Sequence, residues 1–142
     1  MWDFKDDSVV KDFVREIYEN GGVVGAVCHG PAALVDVKLS NGAYLVDGKR
    51  ISAFSDAEEE AAGLTAVVPF LLETELVKHG ARYTKAGLWQ THVVRDGRLV
   101  TGQNPASAAG VGEAMAKLVA SRPTEVPRRD AKPRREAEHR PT

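Results

Sequence analysis

The sequence predicts an α/β domain, a largely parallel sheet with helices on both faces. Three observations predict it. Val23-Val24-Gly25-Ala26-Val27 is short and wholly apolar, the composition of a strand buried on both faces. Stretches with helical spacing alternate with short strand-like runs along the chain. Two Asp-Gly pairs, Asp47-Gly48 and Asp96-Gly97, lie between apolar pairs, where hairpin turns are found.

The elements follow in order. Asp6, Asp7 or Ser8 can cap a first helix, in which Val9, Val10, Phe13, Val14 and Ile17 recur at helical spacing. Asn20-Gly21-Gly22 stops it, and the Val23–Val27 strand comes next. Cys28-His29-Gly30-Pro31 follows at once and opens a helix through Ala32 to Val35, with Pro31 suited to its first turn. Leu45 to Ile51 reads as a hairpin around Asp47-Gly48, and Ile51 to Phe54 as a further strand. Ser55 or Asp56 caps the acidic turn Glu58-Glu59-Glu60. Leu64 to His79 has helical spacing, with Pro69 near its front and Gly80 at its end. Ala81-Arg82-Tyr83 starts a short strand, and Val93-Val94 and Leu99-Val100 flank the second Asp-Gly. Asn104-Pro105 opens an Ala-rich helix to about Ser121, with Asn104 as the cap. The chain begins directly at a helix, so the domain reads as one whose front strands are absent.

Bulk properties narrow the function. The 142 residues suit one domain, and 43% hydrophobic residues are enough for a core. Aromatic residues make up only 6%, so aliphatic side chains and Ala supply most of it. Residues 122–142 hold seven Lys/Arg and four Asp/Glu, and the first 121 hold twelve and sixteen. The body is therefore mildly acidic and carries no nucleic-acid footprint. The Pro- and Arg-rich stretch 122–142 reads as a disordered tail. A single Cys excludes a disulfide framework and a multi-Cys metal site, and fits a reducing compartment. No apolar run approaches the roughly 20 residues that span a membrane. The acidic N-terminus has no apolar signal core. The expectation is a soluble, cytoplasmic protein with no nucleic-acid or membrane partner.

Most of the chemistry lies in Gly25-Ala26-Val27-Cys28-His29-Gly30-Pro31. A buried strand ends on a nucleophile and a helix starts straight after it. That is the logic of a nucleophile elbow, where a sharp turn exposes the side chain. A Cys at a helix N-terminus feels the positive end of the dipole, which favours thiolate. The backbone N–H groups of His29 and Gly30 are candidates for an oxyanion site.

Ala26-Val27-Cys28-His29-Gly30-Pro31-Ala32 resembles the elbow of the ThiJ/PfpI superfamily, in its glyoxalase III and heat-shock-type deglycase-chaperone branch. Gly48 to Phe54, Glu58-Glu59-Glu60-Ala61 and Asp96 to Ser107 resemble the same branch, and so does Met1-Trp2-Asp3. The resemblance covers about residues 1–120. It implies a flavodoxin-like three-layer α/β sandwich of the class I glutamine-amidotransferase-like kind, incomplete at the N-terminus. It implies a triad of Cys28, His29 and Glu59, with Glu58 and Asp56 as the neighbouring alternatives for the acid. Trp89 and Pro31 would line the pocket. No cofactor and no metal would be needed.

The substrate implied is a small reactive aldehyde, turned over as in glyoxalase III (methylglyoxal to D-lactate) or in protein deglycation. A holdase chaperone, or a catalytically inactive shortened member, is the alternative. Amidotransfer or peptidase chemistry ranks behind, since in amidotransferases the His lies far from the nucleophile. Relatives begin with strands and a helix before the elbow, and that part should supply a Glu touching the nucleophile. Its absence would leave the Val23–Val27 strand with a bare edge. The partner would be a second copy or a complementary N-terminal fragment.

Overall fold

The computed structural model describes residues 1–123. The expected tail therefore lies, from residue 124 onward, outside the described residues.

Helix α1 (Ser8–Glu19) is capped by Asp7, whose carboxylate accepts the Val10 N–H at 3.0 Å. Strand β1 (Val24–Val27) follows, then a short 3-10 helix, Gly30–Leu34, rather than an α-helix. Next come β2 (Arg50–Ile51), α2 (Asp56–Ala61), α3 (Leu72–Lys78) and β3 (Arg82–Tyr83). A hairpin of β4 (Val93–Asp96) and β5 (Leu99–Gly102) turns on Asp96-Gly97 as expected. A 3-10 turn at Pro105–Ser107 leads into α4 (Ala108–Ala120).

β5 lies between β1 and β4. It is parallel to β1, with Val24 opposite Leu99 and Val27 opposite Gly102, and antiparallel to β4. β2 and β3 form a separate parallel pair. Ser52 ties that pair to the main sheet by donating its N–H to Thr101 Oγ1 at 2.9 Å. Alternation along β1 separates two apolar layers. Val24 and Ala26 join a core of Leu34, Val35, Ile51, Leu76 and Leu99, on which Val14 and Tyr18 of α1 pack. Val23 and Val27 pack with Val100, Val111 and Met115, under α4. Helices thus cover both faces of β1, the expected three-layer arrangement. The Arg98 guanidinium donates to Tyr18 O and, at 2.9 Å, to Gly22 O, pinning the end of α1 to the hairpin.

Three local expectations are corrected. Asp47-Gly48 makes no hairpin. Leu45 and Val46 are buried in turns, Gly48 donates its N–H to Gly80 O at 2.9 Å, and β2 pairs with distant β3 instead. The turn signal was real, for Gly48 has φ +71°, but the segment before it is not extended. The helix expected over 64–79 is confined to Leu72–Lys78. Pro69 lacks an N–H and disfavours helical backbone at Val68, so the helix starts only beyond it. Asn104 does not cap the last helix with its side chain, whose Oδ1 accepts from Ser107 Oγ at 3.0 Å instead of from a backbone N–H.

Two faces of this fold stay open. No residue of α1 is fully buried, and Val9, Phe13 and Ile17 are 59%, 60% and 46% exposed. Among the described residues, β1 has a strand partner on one edge only. No helix among them is long and apolar enough to cross a membrane.

Candidate functional site

Cys28 ends β1 with φ +61°, a left-handed conformation that costs a non-glycine residue energy and survives only where neighbours enforce it. Here they do. Its N–H donates to Gly102 O at 3.0 Å, and its C=O accepts from Phe54 N–H at 2.9 Å. Both sides of the turn are pinned, so the strand-to-helix bend that the small residues suggested is present.

His29 reaches in two directions. Its Nδ1 is 3.6 Å from Cys28 Sγ, and its Nε2 is 2.8 Å from Glu59 Oε2. Its ring packs against Phe54, 4.3 Å between centroids. A carboxylate only accepts, so Nε2 carries the proton and Nδ1 turns its lone pair toward sulfur. Glu59 is held in the first turn of α2, where Ser55 and Glu58 form a reciprocal capping box. Its side chain is 1% exposed, and its second oxygen, Oε1, is buried without a partner among the described residues.

The three acids have separate surroundings. Asp56 faces α3, accepting from Thr74 Oγ1 at 2.6 Å. Glu58 is fully buried and accepts from Gln103 Nε2 (2.8 Å), Asn104 Nδ2 (2.9 Å), Ser55 Oγ (2.9 Å) and Trp89 N (3.0 Å). Burial alone would raise its pKa, but these donors outweigh burial and hold the carboxyl below its ordinary range. Glu59 alone of the three meets His29.

Glu58, offered by the sequence as an alternative acid, instead joins Gln103 and Asn104 in a buried polar hub that sequence reasoning did not foresee. Only the Ser55-x-x-Glu58 capping pattern hinted at it. The hub fixes Trp89, which also has positive φ (+61°) and lies half exposed, 5.6 Å from Phe54. His29, Phe54 and Trp89 therefore lie in one file, with Phe54 between the other two. Pro31 is buried beneath the turn, and Gly30 opens the 3-10 helix.

The expectation of a dipole-lowered thiol is corrected. Burial pushes the Cys28 thiol up, the His29 N–H pulls it down, and the charges of Glu58 and Glu59 add to the rise, leaving it above its ordinary value. A five-residue 3-10 helix carries too little aligned dipole to reverse this. The thiol form of Cys28 is thus favoured, and His29 Nδ1 lies 3.6 Å from its sulfur.

Elsewhere, a cleft of about 470 Å³ lies against the polar side of α1, lined by Lys11, Asp12, Arg15, Asp36, Lys38 and Tyr44. None of its lining residues belongs to the Cys28–His29–Glu59 relay. Among the described residues no group of three His, Cys, Asp or Glu side chains is placed to hold a metal ion.

A Cys on a strained strand-to-helix turn, an adjoining His and a buried carboxylate behind it define an α/β protein of the cysteine-elbow class. The model of the DJ-1/PfpI family matches residues 2–118, and the chain belongs to that family. A glutathione-independent glyoxalase of Saccharomyces cerevisiae is 41% identical over 116 residues, which cover 76% of this chain and 48% of the yeast protein. Glyoxalase 3 of Candida albicans is 34% identical over 119 residues, covering 80% of this chain and 50% of that protein. The crystal structure of Candida albicans glyoxalase III superposes with a TM-score of 0.78 at 33% identity, covering 82% and 52%. Rapid Encystment Protein 24 kDa of Francisella tularensis superposes with a TM-score of 0.81 at 43% identity, covering 83% of this chain and 52% of that one. The flavodoxin-like α/β architecture follows from these likenesses. The chain spans about half the length of the curated relatives it matches.

Proposed function

We propose that this chain carries the nucleophile half of a cofactor-free, glyoxalase III-type site that converts methylglyoxal to D-lactate. The observation that carries the reading is the relay Cys28 Sγ–His29–Glu59, with its contacts of 3.6 and 2.8 Å. The names of the relatives support the substrate class.

The chemistry balances with these groups and one water. His29 Nδ1 takes the thiol proton as sulfur adds to the aldehyde carbon, and returns it to the oxygen of the hemithioacetal. His29 next takes the proton from that carbon, giving an enediolate. The hydroxyl proton passes to the neighbouring oxygen, and His29 delivers its proton to the second carbon. The product is a lactoyl thioester on Cys28. Water cleaves it, releasing lactate and restoring the thiol. Glu59 keeps the ring oriented and offsets the positive charge each time His29 is protonated. The N–H groups of His29 and Gly30 would face the developing oxyanion, and Trp89, Phe54 and Pro31 would wall the substrate. Deglycation of protein adducts would share the first addition.

The test is lactate release from methylglyoxal by the wild-type chain and by Cys28→Ser. Loss in the variant is expected. Turnover equal to wild type in Cys28→Ser would overturn the assignment.

One observation favours a second reading. The exposed stripe Val9, Phe13 and Ile17 is the kind of surface by which a holdase captures unfolded clients. Suppression of client aggregation that persists in Cys28→Ser would support it.

A further inference from the structure

We propose that the open half of α1 and the bare edge of β1 form one docking surface. Its occupant is a polypeptide of the kind that makes up the rest of the relatives' length. The proposal rests on family membership and not on the reaction at Cys28.

The helix speaks first. At 100° per residue, Val9, Phe13, Ile17, Val10, Val14 and Tyr18 fall on one continuous arc of about 180°. Ser8, Lys11, Asp12, Arg15 and Glu16 hold the other. A surface helix needs an apolar arc little over 100° wide to serve one core. This chain's core takes only one side of the arc, through Val14 and Tyr18. Val9, Phe13 and Ile17 are left in water, and Trp2 and Phe4, just before the helix, are 59% and 48% exposed.

The strand adds an independent observation. Val24 and Cys28 direct their N–H groups toward β5, to Arg98 O and Gly102 O. Alternation therefore aims the N–H groups of Gly25 and Val27 at the opposite edge, where the described residues place no strand. Natural edges are blunted by Lys, Pro or bulges. Val23 to Val27 contains none of these and is covered on both faces, like a strand meant for the interior of a sheet.

The comparisons point to the occupant. The matched part superposes closely on a relative of which it covers 52%, so that structure holds nearly as much chain again with no counterpart here. The remaining sequence of this chain does not fit the role. Residues 124–142 offer Val126 as their one large apolar side chain.

The experiment is co-expression of the untagged 142-residue chain with a tagged polypeptide from the Francisella relative, the part outside its match. A 1:1 complex on native mass spectrometry is expected, with the Gly25 and Val27 amides newly protected from hydrogen exchange. Val9→Ser/Phe13→Ser/Ile17→Ser should lower recovery at least tenfold while leaving the circular dichroism of the chain alone unchanged. Absence of co-purification overturns the proposal. So does a triple variant that binds like wild type. A wild-type homodimer that the triple variant dissociates, and that the added polypeptide does not displace, overturns it too by making a second copy the occupant. Lactate is not read, so these results stand apart from any outcome at Cys28.

Discussion

Glu58 and Glu59 are neighbours with the same side chain and opposite situations. Glu58 has each oxygen bonded to several donors, whereas Glu59 spends one oxygen on His29 and has the other unpartnered. Their substitutions should separate accordingly. Glu58→Gln turns an acceptor into a donor inside the hub and should cost about 1–3 kcal/mol in urea unfolding. The wild-type hub also carries an acid limb. The folded pKa of Glu58 lies below its ordinary 4.5, so its stabilising contribution is complete above that value and is lost as pH falls through the folded one. Unfolding measured from pH 6 downward should show a limb that Glu58→Gln flattens. Glu59→Gln should instead leave stability nearly unchanged and lower the rate of lactate release by about 10²-fold or more. The same variant removes one of the charges that raise the Cys28 thiol. Alkylation of Cys28 by iodoacetamide should then be faster than in wild type at equal pH, while turnover is slower. Wild-type alkylation should keep rising past the ordinary thiol value of 9.0.

At the scale of elements, packing around β1 and β5 leaves little room. A Cβ on Gly102 would lie 2.7 Å from Val111 Cγ2 and 2.9 Å from Ser107 Cβ. Both neighbours are short and stiff, so Gly102→Ala should destabilise by about 1–3 kcal/mol in a thermal or urea melt. Elements whose signals are local were legible in the sequence. Asp7 caps α1, the apolar run makes β1, and Asp96-Gly97 turns the β4–β5 hairpin. The elbow was legible for the same reason, since Cys28 and His29 are adjacent and small residues flank them. What failed depends on distant partners. The parallel β2–β3 pairing joins residues far apart, and nothing near Asp47-Gly48 announces it. The thiol's acidity was misread because burial and two carboxylates, not the following helix, decide it. The hub escaped because Gln103 and Asn104 meet Glu58 only after the sheet has formed.

For the molecule as a whole, the triad and its hub are held within this chain, but the surfaces beside them are not all covered. Cys28, His29 and Glu59 come from the turn after β1 and from α2, all inside the family match. The open face of α1 and the edge of β1 are where we propose that a further polypeptide docks. If they are covered in the working protein, the thermal midpoint should rise on adding the complementary polypeptide, and more so with its concentration. A midpoint that does not depend on concentration would count against such linkage.

The clamp of Arg98 on Gly22 joins residues 76 apart in sequence, and the β1–β5 pairing closes a loop of similar length. Such closure is an order of events as well as a shape. During synthesis β1 leaves the ribosome well ahead of β5, its strand partner among the described residues. Through that interval the apolar strand ending in Cys28 is unsheltered, and collapse must wait for a non-local contact. Folding should therefore be slow for a chain this small. The newborn polypeptide is most vulnerable to aggregation just before β5 leaves the ribosome.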